Sequence, residues 1–251
     1  MSFYSILGLV VLGYMVGWFI ISLIKQRNDV ADTAWGLGFV LLAWVSFWLG
    51  EPGPVSLVVN SLVTVWGLRL AYFIHKRNHH KPEDARYQQW RAQWKYFYTR
   101  SFFQVFMLQG LLLYAIAVPV LFINQARSDF GWLSVVGVMV WLIGFWFESV
   151  GDAQLKKFLS NPANKGTLMT SGLWKYSRHP NYFGEVTQWW GIFVIALGIP
   201  GAWFTIIGPL TITGLIVFVS GIPMTEKRYA GRPDWEEYKK RTSALIPWFA
   251  K

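Results

Sequence analysis

Seven apolar runs divide this sequence: 3–24, 34–50, 55–75, 101–123, 131–149, 183–199 and 202–222, the second and sixth being short. A helix needs about 20 such residues to cross the hydrocarbon of a bilayer. Within lipid every backbone N–H and C=O must be satisfied inside the segment, so runs of this length predict helices. The expected fold is an all-α integral membrane protein with about seven transmembrane helices. Glu51-Pro52-Gly53-Pro54 turns the second span back on the third, and the turn from Gly198 to Gly201, containing Pro200, joins the last two. The composition agrees, since only 14% of residues are charged, against about 25% in soluble domains. No soluble domain or low-complexity linker interrupts the pattern. Residues 1–251 therefore read as one membrane domain, with N-terminal spans over 1–123 and C-terminal spans over 131–251.

The basic residues orient these spans. Lys25 and Arg27 follow the first run. Seven Lys or Arg lie between 76 and 100, five between 150 and 182, and seven from Lys227 to Lys251, which leaves Arg69 inside the third run and Arg127 elsewhere. An odd number of spans places all four basic segments on one side. Basic loops stay cytoplasmic, so the N-terminus is expected outside and the C-terminus in the cytoplasm. The net charge of +10 is then a topology signal, and no nucleic-acid partner is expected. The N-terminus has no Lys or Arg before its first apolar run and no small-residue cleavage site, so it reads as a signal anchor. Two surface helices are expected, an interfacial one over Glu83–Lys95 carrying Trp90 and Trp94, and one over Asp234–Arg241.

With no cysteine, disulfides, thiolate catalysis and zinc–thiolate sites are excluded. His75 and His79 stand four apart, but the four histidines form no His-Glu-x-x-His motif and His79 and His80 are adjacent, so no metal site is expected. Neither a nucleophile elbow nor Gly-x-Gly-x-x-Gly is present.

Several polar residues lie at membrane depth or at its edge, where they are costly and mark function by default. Glu148, Asp152 and Lys156 follow one another at four-residue spacing on one helix face. Asn181, Glu185 and Gln188 form a stripe on the sixth span, just after Arg178 and His179. Arg69 sits in the third span, with Trp66 and Tyr72 one turn to either side. Asp32 opens the second span, as a functional carboxyl or as a helix N-cap followed by Thr33. A basic rim above a cavity lined by carboxylates and amides suits a polyanionic cofactor. Its phosphates would meet Lys156, Lys157, Lys175, Arg178, Arg228 and Arg241, and its neutral head would reach Asn181 and Glu185. A lipid-soluble substrate would enter from the bilayer. The layout suits hydride transfer from a nicotinamide and equally methyl transfer from S-adenosylmethionine. A small transporter or scaffold is the non-enzymatic alternative, although no internal repeat is evident. No obligate protein partner is indicated beyond membrane lipids.

Gly-Leu-Trp-Lys-Tyr-Ser-Arg-His-Pro-Asn-Tyr-Phe-Gly-Glu, residues 172–185, resembles the C-terminal signature of steroid 5α-reductase-like membrane reductases. More closely, it is similar to their bacterial relatives known as the DUF1295 group. Asp-Thr-Ala-Trp-Gly-Leu-Gly at 32–38, Trp-Gly-Leu-Arg-Leu at 66–70, Glu-Asp-Ala-Arg-Tyr at 83–87 and Glu-Tyr-Lys-Lys-Arg-Thr-Ser-Ala-Leu-Ile-Pro-Trp at 237–248 extend the likeness over nearly the whole chain from about residue 30. The Arg-His-Pro core also occurs in isoprenylcysteine carboxyl methyltransferases, with a Glu like Glu226. Asn181 and the acid Glu185 after the Gly favour the reductases.

The resemblance implies NADPH in the cavity of the C-terminal spans, with contacts from Asp152, Asn181, Glu185, Tyr176, Arg178 and Tyr238; Lys156, His179, Arg228 and Arg241 complete the expected cofactor set. It also implies a substrate-side group. The family's carboxylate falls near Asp32 and its Tyr position near Trp66, with Arg69 one turn on, while its Gln has no counterpart. The implied reaction is reduction of a carbon–carbon double bond conjugated to a ketone in a steroid-like or other lipid-soluble substrate. Asp32, Arg69 and Tyr72 are the expected catalytic residues, with Asp32, if protonated, or Tyr72 hydrogen-bonding the carbonyl as enolate charge develops. The expected location is a bacterial inner membrane, or alternatively the endoplasmic reticulum, with the cofactor site facing the cytoplasm.

Overall fold

The computed structural model describes residues 1–79 and 81–249. His80 and Lys251, which enter the histidine and charge patterns above, lie outside the described residues. The described chain is helical, with no strand and a single isolated bridge between Ser177 and Ser243.

Among the described residues, nine helices carry the fold. They are α1 Phe3–Lys25, α2 Val30–Leu49, α3 Pro54–Asn78, α4 Ala85–Gln93, α5 Phe97–Gln125, α6 Trp132–Ser160, α7 Pro180–Ala196, α8 Ala202–Tyr229 and α9 Pro233–Arg241. Helices α1, α2, α3, α5, α6 and α8 are long and apolar enough to cross a membrane, and α7 stops at 17 residues. All seven expected runs are thus helical, and the chain is a multi-span integral membrane protein.

The boundaries differ from the hydropathy pattern in an informative way. α6 continues eleven residues past the expected end at 149. Glu148, Gln154, Leu155, Lys156 and Lys157 are good helix formers, and nothing breaks the helix before Asn161-Pro162, where the residue preceding proline leaves the α region. α7 starts at Pro180 rather than 183, because proline at the first helical position has no N–H to lose. α2 starts at Val30, so Asp32 lies inside its first turn and Asp29 takes the N-cap position. Part of α5, Phe102–Met107, is wound as a π-helix, a local form often associated with functional sites. The interfacial helix expected over 83–95 is the shorter α4, begun by Asp84, whose side chain accepts from Arg86 N at 3.0 Å.

Two compact units emerge. The first comprises residues 1–130 with 199–205, and the second 131–198 with 206–251. In the first unit α2 and α3 touch backbone to backbone at Gly36 and Gly67, where a Cβ on either would come within 2.5–2.6 Å of the other's carbonyl oxygen. Lipid offers helices no hydrophobic drive to associate, so small residues and polar pairs supply the contact. The polar pairs centre on Asn124, fully buried, which donates to Ala43 O at 3.0 Å, Ser46 Oγ at 2.7 Å and Asn60 Oδ1 at 3.1 Å. One amide thereby ties α2, α3 and α5.

In the second unit α6 and α7 run antiparallel along glycines at two-turn spacing. A Cβ on Gly137 would lie 2.5 Å from Gly191 O, and one on Gly144 2.6 Å from Gly184 O. Gly151 faces Asn181 one step further on. The tail is stitched to the segment before α7. Arg178 N donates to Ser243 O at 2.8 Å, Trp248 N to Tyr176 O at 2.9 Å, and Ser177 Oγ to Leu245 O at 2.8 Å. In α9, Asp234 and Glu236 occupy the first turn and Lys239, Lys240 and Arg241 the last, matching the helix dipole.

Candidate active site

The α6–α7 contact brings the predicted polar stripe together. Its glycines hold the two backbones close enough for side chains on facing turns to pair. Asn181 Nδ2 donates to Asp152 Oδ1 at 3.1 Å. One step deeper, Gln188 Nε2 donates to Glu148 Oε2 at 2.5 Å and to Gly184 O at 3.3 Å. Glu148 and Gln188 are buried, at 3% and 1% exposure, and Asp152 at 7%. Glu185 stands half-buried between Asn181 and Gln188 on α7. Lys156 continues the α6 series in sequence but is exposed. The amide oxygens Asn181 Oδ1 and Gln188 Oε1 are buried and accept no hydrogen bond. An unsatisfied buried acceptor costs about 1–3 kcal/mol, so each is a place where a donor from a ligand would be rewarded.

A second cluster forms where α7 begins. Glu226, at the end of α8, takes Arg178 Nε at 2.9 Å and His179 Nε2 at 3.1 Å on one carboxylate oxygen. Arg178 Nη1 also donates to Thr242 O at 2.6 Å, and its guanidinium lies 5.7 Å from the Trp235 ring centre. His179 is buried and stacks on Tyr182. Tyr238 is buried, and its hydroxyl donates to the carbonyl of Trp174; burial pushes its phenol above the ordinary range. Tyr176 is exposed, with its ring nearly perpendicular to that of Phe249. Lys156, Arg228 and Arg241 are exposed, and Arg241 lies 3.5 Å from Glu237.

The predicted substrate-side residues belong to the first unit. Asp32 accepts from Arg86 Nη2 at 3.0 Å and Tyr87 Oη at 2.8 Å. Arg86 also reaches Asp84 at 2.9 Å. Around this pair, Glu83 accepts from Asn28 N at 2.6 Å and from Arg91 at 3.1 Å, and Asp29 accepts from Arg27 at 2.6 Å. The Glu-Asp-Ala-Arg-Tyr segment is therefore docked on the start of α2. Burial, reinforced by the Asp32 charge, holds the Tyr87 phenol well above its ordinary value. Burial works against the Arg86 cation, yet Asp32 and Asp84 hold its pKa above the usual arginine value. Arg69 is half-buried on α3 and is not among Asp32's partners. Tyr72 is 64% exposed, and its hydroxyl accepts from Lys76 Nζ at 3.5 Å.

Glu226, Arg86 and Tyr87 are contacts that sequence reading did not assign. Their signal was present as charge at the end of an apolar run and as a motif whose partners lie 54 and 55 residues away. A cavity of about 630 Å³ in the second unit is lined by Gln154, Lys157, Asn161 and Ser171. Gln154 and Asp152, two residues apart, point to roughly opposite faces of α6, so this cavity does not open on the Asp152–Asn181 pair.

A family model described as a protein of unknown function (DUF1295) matches residues 18–242. The chain belongs to this DUF1295 family. The match takes in α2 to α9, and with them both polar clusters of the second unit and the Asp32 group of the first. The chain is also similar to 3-oxo-5-alpha-steroid 4-dehydrogenase 1 of Macaca fascicularis, at 29% identity over 115 residues, which is 45% of this chain and 40% of that protein. The matched part is thus less than half of that relative's length. No solved structure matches the DUF1295 chain.

Proposed function

We propose that this chain is an NADPH-dependent membrane reductase of a carbon–carbon double bond conjugated to a ketone in a lipid-soluble, steroid-like substrate. The observation that carries the reading is the Asp152–Asn181 and Glu148–Gln188 ladder, with its two unpartnered amide oxygens, in a chain similar to a steroid dehydrogenase. The ladder fits a dinucleotide. Its carboxylates and amide carbonyls accept hydrogen bonds from a neutral head, while exposed Lys156, Arg228 and Arg241 supply positive charge for phosphates.

Reduction adds a hydride to one carbon of the double bond and a proton to the other; bound NADPH supplies the hydride. The chain's own residues do the rest. Asn181, Glu185 and Asp152 orient the head. Arg178 and His179 tie Glu226 and the tail to the start of α7, which fixes where that helix begins. Tyr176 and Tyr238 frame the segment before it. On the substrate side, Asp32 or Tyr72 remains the carbonyl donor, Arg69 stays in the proposed catalytic set, and the proton is assigned to the Asp32 group. There the Tyr87 O–H already points at the carboxylate, so Asp32 acts with Arg86 and Tyr87 rather than as an isolated acid. The proposed setting is a bacterial inner membrane with the cofactor side in the cytoplasm.

The test is ligand binding by the purified full chain in lipid nanodiscs. NADPH at a hundredfold excess over its dissociation constant should stabilise the protein by about 2.7 kcal/mol, and its oxidation should accelerate with a 3-oxo-4-ene steroid. S-adenosylmethionine should leave the melting transition in place. Stabilisation by the methyl donor and none by NADPH would contradict the reading.

A further inference from the structure

Gln188 has one amide group with two different surroundings. Its nitrogen donates to Glu148 and to Gly184 O, while its oxygen, in a residue 1% exposed, accepts nothing. Turning the amide over would set its oxygen against two acceptors, so the free acceptor is a property of the site. Buried polar atoms are nearly always paired, and exceptions call for an explanation. The side chain is also held in place, because it runs over Gly144, where a Cβ would come within 2.9 Å of Gln188 Cγ.

The surroundings select the donor. Glu148, Asp152 and Glu185 are carboxylates, and Asn181 Oδ1 and Gln188 Oε1 are carbonyls, so the stripe is built of acceptors. Such a stripe repels phosphate and carboxylate and favours a group bearing N–H or O–H. Asn181 and Gln188 are seven residues apart on α7, about 10 Å along the axis. One primary carboxamide cannot reach both, whereas sugar hydroxyls further along the same ligand suit Asn181.

We propose that Gln188 is a cofactor-recognition residue whose side-chain carbonyl accepts an N–H from the primary carboxamide of a reduced nicotinamide. This rests on the reductase reading. It adds a residue to the site and a basis for selecting the carboxamide.

The experiment compares equilibrium binding of NADPH with that of its reduced 3-acetylpyridine analogue, in which a methyl ketone replaces the carboxamide, to the full chain in nanodiscs. The unaltered chain should prefer NADPH by about five- to tenfold, the effect of one ordinary hydrogen bond. Gln188→Met, close in size, should bring the preference below about threefold by weakening NADPH alone. Equal affinity of the unaltered chain for both nucleotides overturns the proposal, and this comparison needs no variant. A preference that survives Gln188→Met overturns it and leaves the reductase reading standing. Binding of neither nucleotide removes both.

Discussion

A phenol buried against a carboxylate makes a pH-sensitive contact, and Tyr87 is such a phenol. An unfolded tyrosine ionises near pH 10, whereas in the fold burial and the Asp32 charge hold the proton on well above that. The stabilisation this contact provides is complete below about pH 10 and is lost as the pH climbs toward the folded value, because only the unfolded chain then sheds the proton. Melting curves of the unaltered chain should therefore fall more steeply with pH above about 10 than those of Tyr87→Phe, which should be less stable at neutral pH. Parallel pH profiles would mean that Tyr87 does not hold Asp32 as described. Sequence spacing exposed Asp32 as an acid out of place but not its partners. A hydrogen bond across 55 residues leaves no periodic trace, so the spacing that singled out Asp32, Arg69 and Tyr72 could not add Arg86 and Tyr87 as the groups that hold Asp32.

At the scale of the helix, glycine decides where α6 and α7 meet. A Cβ added to Gly184 would come within 2.4 Å of Glu148 N and 2.5 Å of Gly144 O, whereas one added to Gly17 on α1 would meet no atom within 4 Å. Gly184→Ala should cost about 1–3 kcal/mol by overpacking, and Gly17→Ala should be neutral or slightly stabilising through its helix propensity. Reversible denaturation in mixed micelles separates the two, and equal effects would deny the close contact. The Asn181–Glu185–Gln188 stripe was legible beforehand, because the spacing of a helix puts these residues on one face. Their pairing with Asp152 and Glu148 was not, since the register between two helices is set by backbone contacts that sequence alone does not align. Helix ends were legible only to within several residues. Hydropathy marks where apolar character stops, and α6 keeps its hydrogen bonds well past that point.

For the molecule as a whole, the charge pattern predicts a sidedness that can be measured directly. The chain has no cysteine, so single introduced thiols report position without background. Lys240→Cys should react with an impermeant maleimide only after cells are opened, and Asp129→Cys in intact cells. Reaction of both from one side would reject the proposed orientation. The central claim is that the α6–α7 ladder receives the neutral head of a dinucleotide, and the most direct measurement is a structure of the full chain in lipid with NADPH bound. The dihydronicotinamide should lie against Glu185 and Gln188, with its ribose at Asn181 and the phosphates toward the basic residues. A nucleotide bound elsewhere, with those three side chains unchanged, would contradict it.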